Sequence, residues 1–367
     1  MKSETKNGWI LLAAISACLI MVTCLFVSQD LDISIQKHFF SPEKGWFLGE
    51  AQPWKFLYHY GTVPGLLLTL GALAYLILGI FKRNFQPYRR QMLLIVLTTI
   101  IGAGILVNAV LKPYWGRPRP RQVKEFSGQW DYRQPYQPGI PGKGQSFPCG
   151  HCTMGFLFVT LVFCWKRFRL LAVIGGAFGV VYGFLLGTAR ILQGAHYATD
   201  VIWSLGIILW VSVTLYYLVL PKLENIFETI KEWSTGKKYV VSLALVVLSI
   251  IITMVFLTRR PLYETYVHPI DLKPTLRKLI IGSNVDFEKK EVKFTKKAGG
   301  RLLFHAQGFG WTASSHTARI IEHIDGNTVR IVGIMLPKGY FSELNHHLDI
   351  YLPAFLEGKI EIEYLKR

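Results

Sequence analysis

Residues 91–112 read QMLLIVLTTIIGAGILVNAVLK, a run of 21 residues without an ionisable side chain, closed by Lys112. A helix rises about 1.5 Å per residue and a bilayer core needs roughly 20 apolar residues, so this run is long enough to cross a membrane. Working outward, stretches of the same character lie at 8–29, 58–81, 150–165, 170–189, 201–221 and 239–258. The second holds His59, and the fourth is short with His151 at its mouth. Buried helices of a soluble protein seldom give so many uncharged runs of this length. The first stretch is too long for a signal-peptide core and lacks a small-x-small cleavage site, so it is expected to stay as an anchor.

Composition agrees. Of 367 residues 51% are hydrophobic and only 17% charged, with mean hydropathy +0.31. A soluble domain carries about 25% charged residues, so a disordered chain, a coiled coil and a nucleic-acid-binding tail are excluded. Five cysteines are too few for a disulfide-built scaffold. The formal net charge of +18 is unevenly spread. Lys82, Arg83, Arg89 and Arg90 precede the third stretch, and Lys166, Arg167 and Arg169 precede the fifth. Cytoplasmic loops collect such charges, so these turns and the N-terminus are expected inside. The loops 30–57, 112–149 and 190–200, and everything after 258, then fall outside.

The loop 112–149 is nevertheless basic, with Lys112, Arg117, Arg119, Arg121, Lys124, Arg133 and Lys143 against Glu125 and Asp131. An anionic ligand would account for that. Lys112 and Arg119 follow the third stretch, Pro148-Cys149-Gly150-His151 opens the fourth, and Arg190, His196 and Asp200 lie between the fifth and sixth. Ionisable residues at such depths are costly and mark functional sites by default. Lys112, Arg119 and Arg190 can surround a phosphoryl group and neutralise its transition state, and the Gly150 N–H at a helix start can add a backbone donor. His196 and Asp200 are spaced i, i+4, so on a helical turn they share a face. The carboxylate can hold one ring nitrogen protonated and leave the other to attack phosphorus. His151, from another segment, is free to protonate the leaving oxygen. The scheme needs no metal and no cofactor.

These residues resemble the three motifs of the type 2 phosphatidic acid phosphatase (PAP2) superfamily, which also includes vanadium haloperoxidases. Lysine, six residues and Arg-Pro matches Lys112-PYWGRP-Arg119-Pro120; Pro-Ser-Gly-His matches Pro148-Cys149-Gly150-His151; and Ser-Arg, five residues, His, three residues, Asp matches Ala189-Arg190-ILQGA-His196-YAT-Asp200. The resemblance covers roughly residues 60–220. It implies a six-helix membrane core, a phosphohistidine on His196, His151 as general acid, and Lys112, Arg119 and Arg190 as phosphate ligands. Ala189 and Cys149 depart from the motifs, each replacing a serine. A thiol is a poorer donor than a hydroxyl, so Cys149 is expected to reduce or tune activity.

The same residues admit other readings. Cys149-Gly150-His151-Cys152 also spells a redox C-x-x-C, but no βαβ setting surrounds it; a regulatory disulfide is the better second reading. Cys18, Cys24 and Cys164 read as packing residues. Arg117, Arg121 and Lys124 read as a general electrostatic funnel. His59 and Tyr60 read as helix–helix hydrogen-bonding groups. Trp115, Trp130, Tyr132 and Tyr136 suit an interfacial aromatic belt or a lipid access route.

After residue 258 the pattern changes. Alternation at 291–294, 318–321, 328–332 and 359–363, with Asp325-Gly326-Asn327 as a hairpin turn, predicts a small β-sandwich or barrel. Residues 259–283, with Pro261, Pro269 and Pro274, read as a linker, and His346-His347 as a surface pair.

The expected fold is therefore an all-α polytopic membrane bundle, a six-helix PAP2-like core plus a seventh transmembrane helix, with a small, mainly β extracytoplasmic domain. Residues 1–57 form an anchor and outer loop, 58–221 the catalytic membrane domain, 222–258 a cytoplasmic loop and last helix, and 259–367 the β domain. The expected activity is a membrane lipid phosphatase with an outward-facing site in the inner or plasma membrane (periplasmic if bacterial). Its substrate is a lipid phosphate or diphosphate: undecaprenyl diphosphate, phosphatidic acid, phosphatidylglycerophosphate or lipid A. A lipid phosphotransferase, or a weakened lipid-phosphate binding protein, is the alternative. No nucleic acid is expected as a partner; an envelope glycan or protein would suit the β domain.

Overall fold

The computed structural model describes residues 2–128, 130–139, 144–223, 229–230, 232–257, 260–270, 272, 274–295, 299–310 and 314–366. Lys143, part of the loop 222–238 and the boundary at 258–259 lie outside them. The chain falls into two compact units, a helical one built on residues up to 249 and a β unit built on 250–367.

In the helical unit, α1 (Lys2–Ser28) is a long apolar helix and α2 (Leu31–Lys37) a short one after it. Next come α3 (Trp54–Tyr60) and α4 (Val63–Phe81). Pro64 divides these two, because it has no N–H to offer the Tyr60 carbonyl. α5 (Arg89–Leu97) continues into wider π-helical turns over Thr98–Leu111, and α6 (Lys112–Trp115) ends that rod. α7 (Gly150–Phe156) runs on through Leu157–Cys164, followed by α8 (Arg169–Leu192), α9 (Ala198–Val213) and α10 (Thr235–Leu257).

Five described helices are long and apolar enough to cross a membrane: Ser3–Ser28, Trp54–Phe81, Arg89–Leu111, Arg169–Leu192 and Ala198–Leu223. Gly150–Cys164 is apolar but shorter. It compensates by packing closely on α8, whose glycines admit its side chains; a Cβ at Gly183 would collide with the Phe156 ring. α1 does more than anchor. It docks on α9, where Trp203 Nε1 donates to Thr23 Oγ1 at 3.1 Å and Leu19 fills the space over Gly206. That docking carries α2 to the N-terminal end of α9. Cys18 and Cys24 are exposed on α1 rather than packed, whereas Cys164 is buried.

The β unit is a sandwich of two four-stranded sheets, ordered β1-β4-β7-β3 and β5-β6-β2-β8. The strands are β1 (Arg260–Ile270), β2 (Lys278–Ser283), β3 (Lys289–Thr295), β4 (Gly300–Gly310), β5 (Ser315–Asp325), β6 (Thr328–Lys338), β7 (Phe341–Pro353) and β8 (Glu361–Lys366). Alternate residues fill its core, among them Leu279, Ile281, Leu302, Phe304, Ile331, Leu348 and Ile350. The hairpin falls where expected: Asp325 pairs with Thr328, and Gly326 adopts φ +56°. The expected linker 259–283 is instead two strands. Among the described residues β1 is an edge strand pairing with β4 alone, a position in which prolines are tolerated. β2 pairs in parallel with both β6 and β8, contacts too distant in sequence to leave a hairpin signature.

Candidate active site

His196 and Asp200 stand at the N-terminal start of α9, both buried. Tyr197 caps the helix. Its N–H donates to Asp200 Oδ2 at 2.8 Å, which fixes the carboxylate where the helix dipole favours negative charge. Asp200 also accepts from Ser146 Oγ at 2.5 Å and from Arg117 Nη1 at 2.6 Å. The His196 ring is held differently from the expectation. Its Nδ1 lies 2.5 Å from the Ser146 carbonyl oxygen and 3.6 Å from Asp200 Oδ2. A carbonyl only accepts, so Nδ1 carries the proton and Nε2 the lone pair. Asp200 acts at ion-pair distance and through Ser146, not by a direct hydrogen bond.

Gln36 of α2 fastens the same segment from outside, its Nε2 donating to the His196 carbonyl at 2.7 Å. Gly194 makes the turn before it with φ +59° and lies under Trp46, where a Cβ would strike the indole. The Arg121 N–H bonds the Gly194 carbonyl at 3.0 Å, tying the loop after Lys112 to the loop before His196.

Cys149 precedes α7 and is fully buried, close enough to Cys152, the His196 ring and Arg190 to feel their charges. Both cysteines are free thiols. Gly150 is pressed against Asn108, and Lys112 follows Asn108 by four residues on the same rod. His151 stacks on Tyr58, ring centroids 5.4 Å apart at 22°. The Arg190 guanidinium covers the same ring at 4.4 Å and donates to Gln193 Oε1 at 2.7 Å. Tyr58 thus gathers His151 and Arg190 beside Cys149 and His196. Lys112 is half-buried at the end of its helix, and Arg119 is buried at the start of the turn that carries Arg121. Among the described residues no cluster of three or more histidine, cysteine, aspartate or glutamate side chains could hold a metal ion.

Arg117, expected in a surface funnel, is fully buried and paired with Asp32 and Asp200. Lys124 does face solvent, bonded to Asp131 at 2.7 Å. Tyr132 is no belt residue, because its hydroxyl joins the Arg117 cluster. Trp115 packs on Phe147 and donates to the Pro135 carbonyl, while Tyr136 is exposed. Tyr58, Asp32, Gln36 and Ser146 escaped the sequence reading. Ser146, two residues before Pro148, was within its reach; the others are recruited only by packing.

Residues 92–224 match the family described as the PAP2 superfamily. The chain is 30% identical over 212 residues to the lipid A 4'-phosphatase of Francisella tularensis subsp. novicida (strain U112), covering 54% of this chain and 93% of that protein. It is 33% identical over 137 residues to the lipid A 4'-phosphatase of Rhizobium leguminosarum, covering 35% of this chain and 57% of that protein. A solved structure, the PAP2-type phosphatidylglycerolphosphate phosphatase of Bacillus subtilis, aligns with TM-score 0.36 and 21% identity over 59% of this chain and 96% of that one. The chain belongs to the PAP2 superfamily. It is a multi-pass membrane protein and, within that family, a phosphoric ester hydrolase of the lipid-phosphatase kind.

Proposed function

We propose that the protein removes a phosphate monoester from a lipid A-type glycolipid, through a phosphohistidine on Nε2 of His196. The observation that carries this reading is the lock on Nδ1. The Ser146 carbonyl takes its proton, and Asp200 stands 3.6 Å away to balance the charge the ring acquires. Attack by the Nε2 lone pair forms the N–P bond and breaks the P–O bond to the lipid. His151, stacked on Tyr58, protonates the departing oxygen. Lys112, Arg119 and Arg190, with the Gly150 N–H, hold the phosphoryl oxygens and stabilise their charge in the transition state. Cys149 replaces one hydroxyl donor of that cradle. Water then attacks phosphorus and gives a proton to His151, the N–P bond breaks, and phosphate leaves with both histidines restored.

The choice of lipid rests on the relatives, whose names give lipid A phosphatases at both the 4' and 1 positions. The basic turns at 82–90 and 166–169 support a cytoplasmic N-terminus and an outward-facing site. In this reading residues 58–221 are the catalytic domain, α10 is a last membrane helix, and the β unit from 259 lies outside, where an envelope glycan or protein is its partner.

The test is phosphate release by the purified, detergent-solubilised protein from lipid A, phosphatidic acid, phosphatidylglycerophosphate and undecaprenyl diphosphate, beside His196→Ala. Release from lipid A, absent in the variant, is expected. Release from another lipid would replace the substrate, and full activity in the variant would remove the mechanism.

A further inference from the structure

Arg117 is one of the six spacer residues between Lys112 and Arg119 that the first motif leaves unspecified, yet its guanidinium has every donor used. Nε bonds the Arg133 carbonyl at 2.9 Å, and Nη1 bonds Thr199 Oγ1 at 2.9 Å and Asp200 Oδ1 at 2.6 Å. Nη2 bonds Asp32 Oδ2 at 2.8 Å and the Tyr132 hydroxyl at 3.2 Å. That is five acceptors for five N–H groups. The guanidinium also lies 4.2 Å over the Tyr197 ring. Burial works against its charge, but Asp200 and Asp32 more than offset that and hold Arg117 well above its ordinary range. Asp32 is buried as well, and accepts from the Thr199 N–H at 3.0 Å and from the Thr199 hydroxyl.

We propose that Arg117 and Asp32 are a positioning couple for the reacting histidine, with Asp32 of α2 setting how much of the Arg117 charge reaches Asp200. The proposal rests on His196 as nucleophile. Arg117 holds Asp200 Oδ1, which leaves Oδ2 for Ser146 Oγ, and Ser146 in turn presents its carbonyl to His196 Nδ1. The geometry of the attacking nitrogen is therefore set two links away. The charges point the same way. Two carboxylates and one guanidinium leave one net negative charge beside a ring that becomes cationic when Nε2 bonds phosphorus. Without the Asp32 charge, Arg117 is left to Asp200 alone. It neutralises that carboxylate, and the phosphorylated ring loses its counter-charge.

A loop pin with no catalytic consequence would use the same bonds, so the test separates the two. Asp32→Asn keeps the shape and removes the charge. In the full-length protein, about a tenfold fall in kcat is expected, through slower formation of the phosphoenzyme. KM and competitive inhibition by inorganic phosphate should stay unchanged, since the cradle cations are untouched. Arg117→Lys keeps the charge but cannot bridge five acceptors, and should lose about a hundredfold in kcat with the same split. It carries the test if Asp32→Asn does not fold. Wild-type kcat in either folded variant, or kcat and phosphate inhibition falling together, would overturn the couple. His196→Ala run alongside keeps the failures apart: turnover there sinks the nucleophile itself, whereas a dead His196→Ala beside a wild-type Asp32→Asn sinks only the couple.

Discussion

Each unit of this protein buries a histidine against a hydrogen-bonding partner, and the partners differ in kind. In the helical unit His196 meets a carbonyl, which fixes its tautomer, and a carboxylate at ion-pair distance. In the β unit His346 meets another histidine: its Nε2 lies 3.0 Å from that of His316, across the two sheets. No carboxylate is bonded to either ring among the described residues, and the Tyr266 hydroxyl bonds the far side of His316. Burial and the neighbouring His316 push His346 down to about 4, and burial lowers His316 too. In the proposed mechanism the first arrangement suits a ring that becomes charged, whereas the second disfavours a charge on either ring. A buried histidine acquires chemistry from its partners, not from burial itself.

The sharpest way to break the comparison is to remove the reacting ring. His196→Ala should lower kcat by about 10⁴-fold or more while the protein stays folded, measured as phosphate release per mole of protein. Asp200→Asn should cost about 10²–10³-fold in kcat, because the ring keeps its Ser146 carbonyl but loses its counter-charge. Wild-type kcat in that variant would mean Asp200 only caps α9.

The histidine pair makes the opposite claim. A histidine held neutral in the fold and free to protonate when unfolded contributes stability that is full above about pH 6.5 and lost as pH falls toward 4. The β unit should therefore lose about 3 kcal/mol over that window, read as faster hydrogen exchange along β5 and β7 in the full-length protein. His346→Phe should flatten the loss, and unchanged acid sensitivity in that variant would assign it elsewhere. The smallest effect expected is at Cys149→Ser. A hydroxyl is the better donor, so kcat/KM should rise a few-fold; a fall would make the thiol an adapted part of the site.

The sequence exposed what is local. Lys112, Arg119, Cys149, Gly150, His151, Arg190, His196 and Asp200 lie in three short motifs, and the apolar runs announced the helices. What it hid is what packing assembles. Asp32 reaches Thr199 and Arg117 because α1 docks on α9, and the sequence gap between Asp32 and Thr199 is 167 residues. Arg117 looked like a surface cation because its neighbours in the loop are basic; its two carboxylate partners come from elsewhere. Pro261 and Pro269 disguised an edge strand, and His346 faces inward because β7 alternates about the buried Leu348. The Asp325–Thr328 turn was legible because its chemistry is contained in four residues.

The nitrogen that becomes phosphorylated distinguishes this mechanism from its rivals. Rapid quench of the enzyme with lipid A under alkaline conditions, followed by mass spectrometry and phosphorus NMR of the peptide around His196, would locate the phosphate. Nδ1 is committed to the Ser146 carbonyl, so the phosphate is predicted on Nε2 of His196. Phosphate on Nδ1, on Cys149, or on no residue while turnover continues, would contradict it.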